Sequence, residues 1–259
     1  MQNTVVQESK YKYVESGGSG DVLLLLHGLF GALSNFESIM SNFSDRYNVV
    51  IPILPIYNLP IHKVSVAGLV DYVEEFVEYK GYDQVNVLGN SLGGHVSILY
   101  SIRRPDRVNT MTLTGSSGLF ESAMGDTFPK RGNYEFIKKK TEATFYRPEV
   151  ATKELVDEVY AAVNDRNKAI RIIAMAKSAV RHNLADKLDG VKCPTLLIWG
   201  KQDTITPDFV ADRFHELIAN TELHFIDECG HAPMMEMPDQ FNPILIDFLD
   251  RHPIHSDNH

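Results

Sequence analysis

Val85-Asn86-Val87-Leu88 runs straight into Gly89-Asn90-Ser91-Leu92-Gly93-Gly94, and His95–Ile102 then continues with helical spacing. Apolar strand, tight turn and helix follow one another with no room for a loop. Reversal in so few residues forces residue 91 into a strained backbone conformation. Only small residues two positions to either side let strand and helix pack this closely, and Gly89 and Gly93 meet that need. The turn presents the Ser91 hydroxyl at the carboxyl edge of a sheet, near the positive end of the helix that begins there. Ser91 therefore reads as a nucleophile rather than as a turn residue.

A serine hydroxyl is a weak nucleophile until a base accepts its proton. Of ten histidines, His231 fits best: Cys229-Gly230-His231-Ala232-Pro233 lies between the strand-like run Leu223–Ile226 and a final helix, so its loop can hang over the same sheet edge. His27 is its rival and is assigned a supporting hydrogen-bonding role, while His95, just inside the nucleophile helix, suits burial. His62, His182, His215, His224, His252, His255 and His259 read as surface or incidental. The base in turn needs a carboxylate to fix its tautomer. Asp203 follows Thr195–Gly200 just past a strand end and completes the chain order Ser91, Asp203, His231; Asp227 is the rival acid. The donors expected for an oxyanion are the N–H of Leu92 and that of Leu29, in the turn His27-Gly28-Leu29-Phe30-Gly31, with Phe30 as the alternative.

Outward from this centre, short β-rich runs alternate with helical periodicity, the pattern of an α/β domain with a mostly parallel sheet and helices on both faces. Strands are expected at Tyr11–Glu15, Val22–Leu26, Tyr47–Ile51, Gln84–Leu88, Val108–Leu113, Thr195–Trp199 and Leu223–Ile226. A packing helix is expected over Val66–Lys80, ended by Gly81. Another starts at Thr206-Pro207, with the threonine as N-cap, and a last one runs from about Pro238 to Arg251, with Pro243 calling for a late start or a kink. Residues 118–188 break the alternation and read as a helical insertion, dividing a core of 1–117 and 189–259. Its helices are expected around Asn133–Tyr146, Pro148–Asn164 and Arg166–Arg181. A mobile access loop around Gly125, Asp126, Lys130, Arg131 and Gly132 precedes them, and Lys138-Lys139-Lys140 reads as a solvated face.

Composition narrows the function. A formal net charge of −9 over 259 residues, with no basic run, argues against nucleic acid or an anionic membrane as partner. The start Met1-Gln2-Asn3-Thr4 lacks the parts of a signal peptide and no apolar run approaches a membrane span, so a soluble cytoplasmic chain is expected, with monomer and dimer both open. Cys193 and Cys229 have no metal-ligand spacing and read as small buried apolar residues. No metal is expected.

His27-Gly28, Gly89–Gly94, Asp203 before Pro207, and Gly230-His231 followed by a proline and an acidic residue together resemble the α/β-hydrolase superfamily. The resemblance spans nearly the whole chain outside the insertion. It implies a Ser-His-Asp triad, a helical cap over the site and no cofactor. Asn90 before the serine and Leu92-Gly93-Gly94 after it look like the carbon–carbon hydrolases of ring-cleavage products. Those usually carry tryptophan where this chain has Ala232. Many relatives also carry an Asp-x-x-Gly-x-Gly-x-Ser turn where this chain reads Ile53-Leu54-Pro55-Ile56-Tyr57-Asn58 within Pro52–Lys63. Because residue 91 is not aspartate, haloalkane dehalogenases and epoxide hydrolases are not matched.

Ester hydrolysis of a small-molecule substrate through an acyl-enzyme is the expected reaction. Phe30, Leu119 and Met234, with Leu29, Phe120 and Met235, are expected to line its apolar pocket, although core packing serves each equally well. Carbon–carbon bond hydrolysis, acyl transfer to another acceptor, and ligand binding without turnover are the alternatives.

Overall fold

A computed structural model describes residues 4–31, 34–120 and 130–254. Eight strands form one sheet among them: β1 (Val6–Glu8), β2 (Tyr11–Glu15), β3 (Val22–Leu26), β4 (Asn48–Pro52), β5 (Val85–Asn90), β6 (Val108–Thr114), β7 (Thr195–Gly200) and β8 (Thr221–Ile226). Their order is β1-β2-β4-β3-β5-β6-β7-β8. Only the pairs β1–β2 and β2–β4 are antiparallel; the others are parallel. The helices are α1 (Glu37–Phe43), α2 (Val66–Lys80), α3 (Leu92–Arg103), α4 (Tyr134–Glu142), α5 (Lys153–Asn164), α6 (Arg166–Arg181), α7 (Asp208–Leu217), α8 (Pro233–Glu236) and α9 (Pro238–Arg251).

The continuous apolar run of β3 follows from burial on both faces. Leu24 and Leu26 enter one core, shared with α2, α3 and α7, whereas Leu23 and Leu25 enter another, shared with α1, α8 and α9. The helix α2 has the expected bounds. Ser65 accepts the Gly68 N–H at its start, and Gly81 ends it in the left-handed region at φ 68°. β2, β3 and α6 also keep their expected limits. β1, α1 and α8 lie outside the expected set, and α9 runs through Pro243 as one helix.

One expected cap is corrected. Helix α7 begins at Asp208 without a side-chain cap, and the Thr206 hydroxyl instead donates to Asp203 Oδ2 at 2.9 Å. A hydrogen bond to a charged carboxylate is stronger than one to a neutral partner, so the threonine is drawn into the site.

Between β6 and β7 the described residues hold helices and no strand. α4, α5 and α6 share a small apolar cluster of Ile137, Ala162, Val163 and Ile172, against which Leu29, Phe30 and Tyr57 pack. The three lysines 138–140 are exposed. Lys130, Arg131 and Gly132 of the expected access loop are described, but Gly125 and Asp126 lie outside the described residues. Cys193 and Cys229 are buried free thiols, and burial pushes Cys193 up to about 11. Among the described residues, no helix is long and apolar enough to cross a membrane.

Candidate functional site

Parallel strands release their loops at one edge of the sheet, and a reversal of strand order opens a crevice there. The chain reverses between β3 and β5, whose ends are in register at Leu26 and Gly89. The turn after β3 therefore lies beside the turn after β5. A methyl group on Gly28 would stand 3.3 Å from Ser91 Cβ, which brings the His27–Gly31 turn directly against the expected nucleophile.

Ser91 has φ 55° and ψ −118°, in the left-handed half of backbone space. The strain is held by hydrogen bonds on both sides: Ser91 N–H donates to the Thr114 carbonyl at 3.1 Å, and the Ser91 carbonyl accepts from Gly94 and Ser117. Gly93 is indispensable here, since a Cβ would collide with the Leu26 carbonyl. Leu92 is the first residue of α3, so its N–H has no acceptor within the helix.

Asp203 and His231 meet 2.8 Å apart, Oδ2 to Nδ1, and both are almost sealed from solvent. Asp203 Oδ1 also accepts the N–H groups of Ile205 and Thr206 at 2.8 and 2.9 Å. Burial pushes the Asp203 pKa up, but the His231 charge and the hydrogen bonds from His231, Thr206 and Ile205 outweigh it and hold the carboxyl below its ordinary value. An ionised acceptor places the proton of neutral His231 on Nδ1 and leaves Nε2 to accept another. The rival Asp227 is turned away: it is exposed and takes its hydrogen bonds from Gln202 and Glu228.

His231 is tied to the elbow through its backbone. Asn90 Nδ2 donates to the Thr114 carbonyl at 3.1 Å and to the His231 carbonyl at 3.2 Å. Gly115, at φ 50°, leaves the space that the imidazole fills; a Cβ there would lie 2.7 Å from His231 Nδ1. His231 N–H donates to the Thr144 carbonyl, and the Thr204 hydroxyl to that of Ala143. Buried Glu236 adds a clasp: Oε1 accepts from Gly230 N–H at 2.9 Å and Oε2 from Tyr146 N–H at 2.8 Å. Burial raises its pKa against the opposing pull of these donors. The segment after α4 is thus fastened to the loops that carry Asp203 and His231. In sequence Glu236 is the acidic residue that follows Gly230-His231 and Pro233 in the resemblance, with no role attached to it, and nothing local points to Tyr146.

His27 is fully engaged elsewhere. Nε2 accepts from the Leu54 N–H at 2.9 Å, which puts the ring proton on Nδ1, where it donates to the Gly28 carbonyl at 2.7 Å. Neither nitrogen is left for Ser91. His95 is buried beside Ser117, 3.4 Å from its hydroxyl. Burial lowers both histidines to about 4. A histidine that is harder to protonate when folded supplies stability above the unfolded value of about 6.5 and loses it as pH falls toward the folded one, on the order of 3 kcal/mol each. The thermal midpoint is therefore expected to drop steeply from about pH 6.5 to 4. His95→Leu should flatten that descent, and an unchanged slope would show that His95 does not contribute.

Of the remaining expected positions, Leu29 and Phe30 are partly buried beneath the α4–α6 cluster. Leu119 and Phe120 line a groove of about 360 Å³ with Phe209, Val210 and Arg213 of α7. Met234 is sealed within the apolar cluster on the α1 and α9 face, and its packing is what the surroundings show. His62, His215 and His224 are exposed, His182 and His252 half-buried; His255 and His259 lie outside the described residues.

Comparison with known proteins agrees with this architecture. Residues 21–238 match the family model described as alpha/beta hydrolase fold. A 2-hydroxy-6-oxo-6-phenylhexa-2,4-dienoate hydrolase of Comamonas testosteroni is 26% identical over 92% of this chain and 90% of its own. A monoacylglycerol lipase of Bos taurus is 26% identical over 96% and 82%. Among solved structures, an α/β-hydrolase enzyme from the sediment metagenome of the Mar Chica lagoon, Morocco, is 41% identical, with a TM-score of 0.80 over 96% of this chain and 98% of that one. Sheet order, the turn at Ser91 and these matches across the chain lead to one assignment: the chain belongs to the α/β-hydrolase superfamily.

Proposed function

We propose that the protein is a serine hydrolase that cleaves carboxylic esters of small molecules through an acyl-enzyme. The observation that carries this reading is the buried Asp203–His231 pair at 2.8 Å, tied by Asn90 to the strained turn that presents Ser91. Ser91 Oγ attacks the ester carbonyl carbon while His231 Nε2 takes its proton. The carbonyl electrons move onto oxygen, and the resulting anion is held by the amides of Leu92 and of the Leu29–Phe30 turn. Collapse re-forms the carbonyl and expels the alcohol, which receives the proton from His231. Water then repeats the sequence on the acyl group and restores Ser91. Asp203 fixes the proton on Nδ1 and stabilises the imidazolium. Every step uses side chains, amides and water.

Helices α4–α6 serve as a cap in this reading, with Leu29 and Phe30 beneath them toward the substrate. The similarity to the Comamonas enzyme supports a second reading, hydrolysis of a carbon–carbon bond in a vinylogous diketone acid, because the same three groups would serve it. A time course with short and medium p-nitrophenyl esters, run beside a 2-hydroxy-6-oxo-dienoate, separates the two. Ester turnover as the faster reaction is expected; rapid cleavage of the dienoate with slow ester turnover would move the assignment to the second.

A further inference from the structure

Two successive peptide groups in the turn after β3 are each gripped by a side chain. His27 Nδ1–H holds the Gly28 carbonyl, and the Tyr57 hydroxyl donates to the Leu29 carbonyl at 3.1 Å. In a planar trans peptide the C=O and the following N–H point in opposite directions, so fixing one aims the other. His27 thereby sets the Leu29 N–H and Tyr57 the Phe30 N–H. These are the two amides weighed above as oxyanion donors. Both grips trace to one segment, for His27 is itself held by the Leu54 N–H.

That segment is where the chain departs from the Asp-x-x-Gly-x-Gly-x-Ser turn of many relatives. Residues 55–59 wind into a tight turn, with the N–H groups of Asn58 and Leu59 both on the Pro55 carbonyl. Tyr57 packs against the main core and also against the cluster of α4–α6. From α6, Lys168 Nζ stands 5.3 Å from the centre of its ring and Arg171 Nε donates to the Leu59 carbonyl. The phenol is therefore a physical link between the insertion and the turn over Ser91.

We propose that Tyr57 is a positioning residue for the oxyanion turn, and that through it the seating of α4–α6 sets the aim of the amides that stabilise the developing charge. This rests on the serine-hydrolase reading above. Burial pushes the Tyr57 pKa up to about 12, so the hydroxyl remains a donor throughout the working range of a histidine base.

Tyr57→Phe keeps the ring and its packing and removes only the donor. Loss of a whole oxyanion donor costs roughly 10²- to 10³-fold in kcat. Loosening one is expected to cost about ten-fold, with KM within about two-fold, because the interaction matters more in the transition state than in the ground state. Affinity for an alkylboronic acid, whose tetrahedral adduct carries the same charge, should fall by the same factor. A purely structural role would lower the unfolding temperature and leave both ratios alone. Lys168→Met should cost about two- to three-fold in kcat by freeing the ring from α6. Native kcat and boronate affinity in Tyr57→Phe would overturn the positioning role. Native kcat in Lys168→Met beside an impaired Tyr57→Phe would overturn the link to the insertion. Ser91→Ala, assayed in parallel, keeps the outcomes distinct: retained turnover there defeats the serine reading itself, whereas a dead Ser91→Ala beside a native-like Tyr57→Phe defeats only this inference.

Discussion

Ser91→Ala is expected to lower ester turnover by about 10⁴-fold or more while leaving the protein folded. Among the described residues, the hydroxyls beside the turn are engaged elsewhere, and that of Thr206 lies on the Asp203 side of the imidazole. Ser116 Oγ donates to the Ser117 carbonyl, and Ser117 Oγ lies between the Ser91 carbonyl and His95. Neither is paired with the Asp203–His231 couple. The turn itself is held by backbone bonds from Gly94 and Ser117 and to Thr114, none of which uses the Ser91 side chain. Alanine meets the same positive φ as serine, so the unfolding temperature should shift by no more than a few degrees. A residual rate within ten-fold of the native one, with unfolding unchanged, would remove Ser91 from the chemistry.

Asp203→Asn is expected to cost about 10⁴-fold in kcat, with a stability loss of about 1–3 kcal/mol. The carboxylate accepts four bonds, from the N–H groups of Ile205 and Thr206 and from Thr206 Oγ1 and His231 Nδ1. An amide has one oxygen. If that oxygen stays with the two backbone donors, the NH₂ group faces His231 Nδ1 and forces the ring proton onto Nε2, where it blocks attack by the serine. The stability difference has a definite sign with pH. Because the Asp203 pKa is depressed in the folded chain, its contribution is fully present above the unfolded value of about 3.9 and disappears as pH falls through the folded one. The gap between native and variant unfolding free energies should therefore be widest near neutrality and close below about pH 4. Activity in Asp203→Asn within ten-fold of native would return the role to another acid. Asp227→Asn supplies the comparison and should stay within about two-fold, given that Asp227 faces Gln202 on the surface.

What was legible in the sequence is what local pattern encodes. The double-sided burial of β3 shows as an unbroken apolar run, and the face of α2 shows in its spacing. The turn at Ser91 shows in its two glycines, since the geometry itself demands small residues there. Asp203 and His231 were legible because each follows a strand end, and parallel strands all deliver their loops to one edge. β1 has no sequence signal because three residues with one apolar side chain carry no period. Thr206 differs from the expected cap, for a threonine before proline has the same local signature whether its hydroxyl turns to the helix or to a nearby carboxylate. The clasps made by Tyr57 and Glu236 have no sequence signal for a related reason: their partners Leu29 and Tyr146 lie 28 and 90 residues away. Such roles arise from tertiary placement, which periodicity and motif spacing do not contain.

The most direct test of Ser91 as nucleophile is mass-spectrometric localisation of the adduct formed with a fluorophosphonate. One phosphonyl group per chain is expected, on Ser91, with no adduct in Ser91→Ala. An adduct on another residue of the native chain, or one that persists at full stoichiometry in Ser91→Ala, would contradict that role.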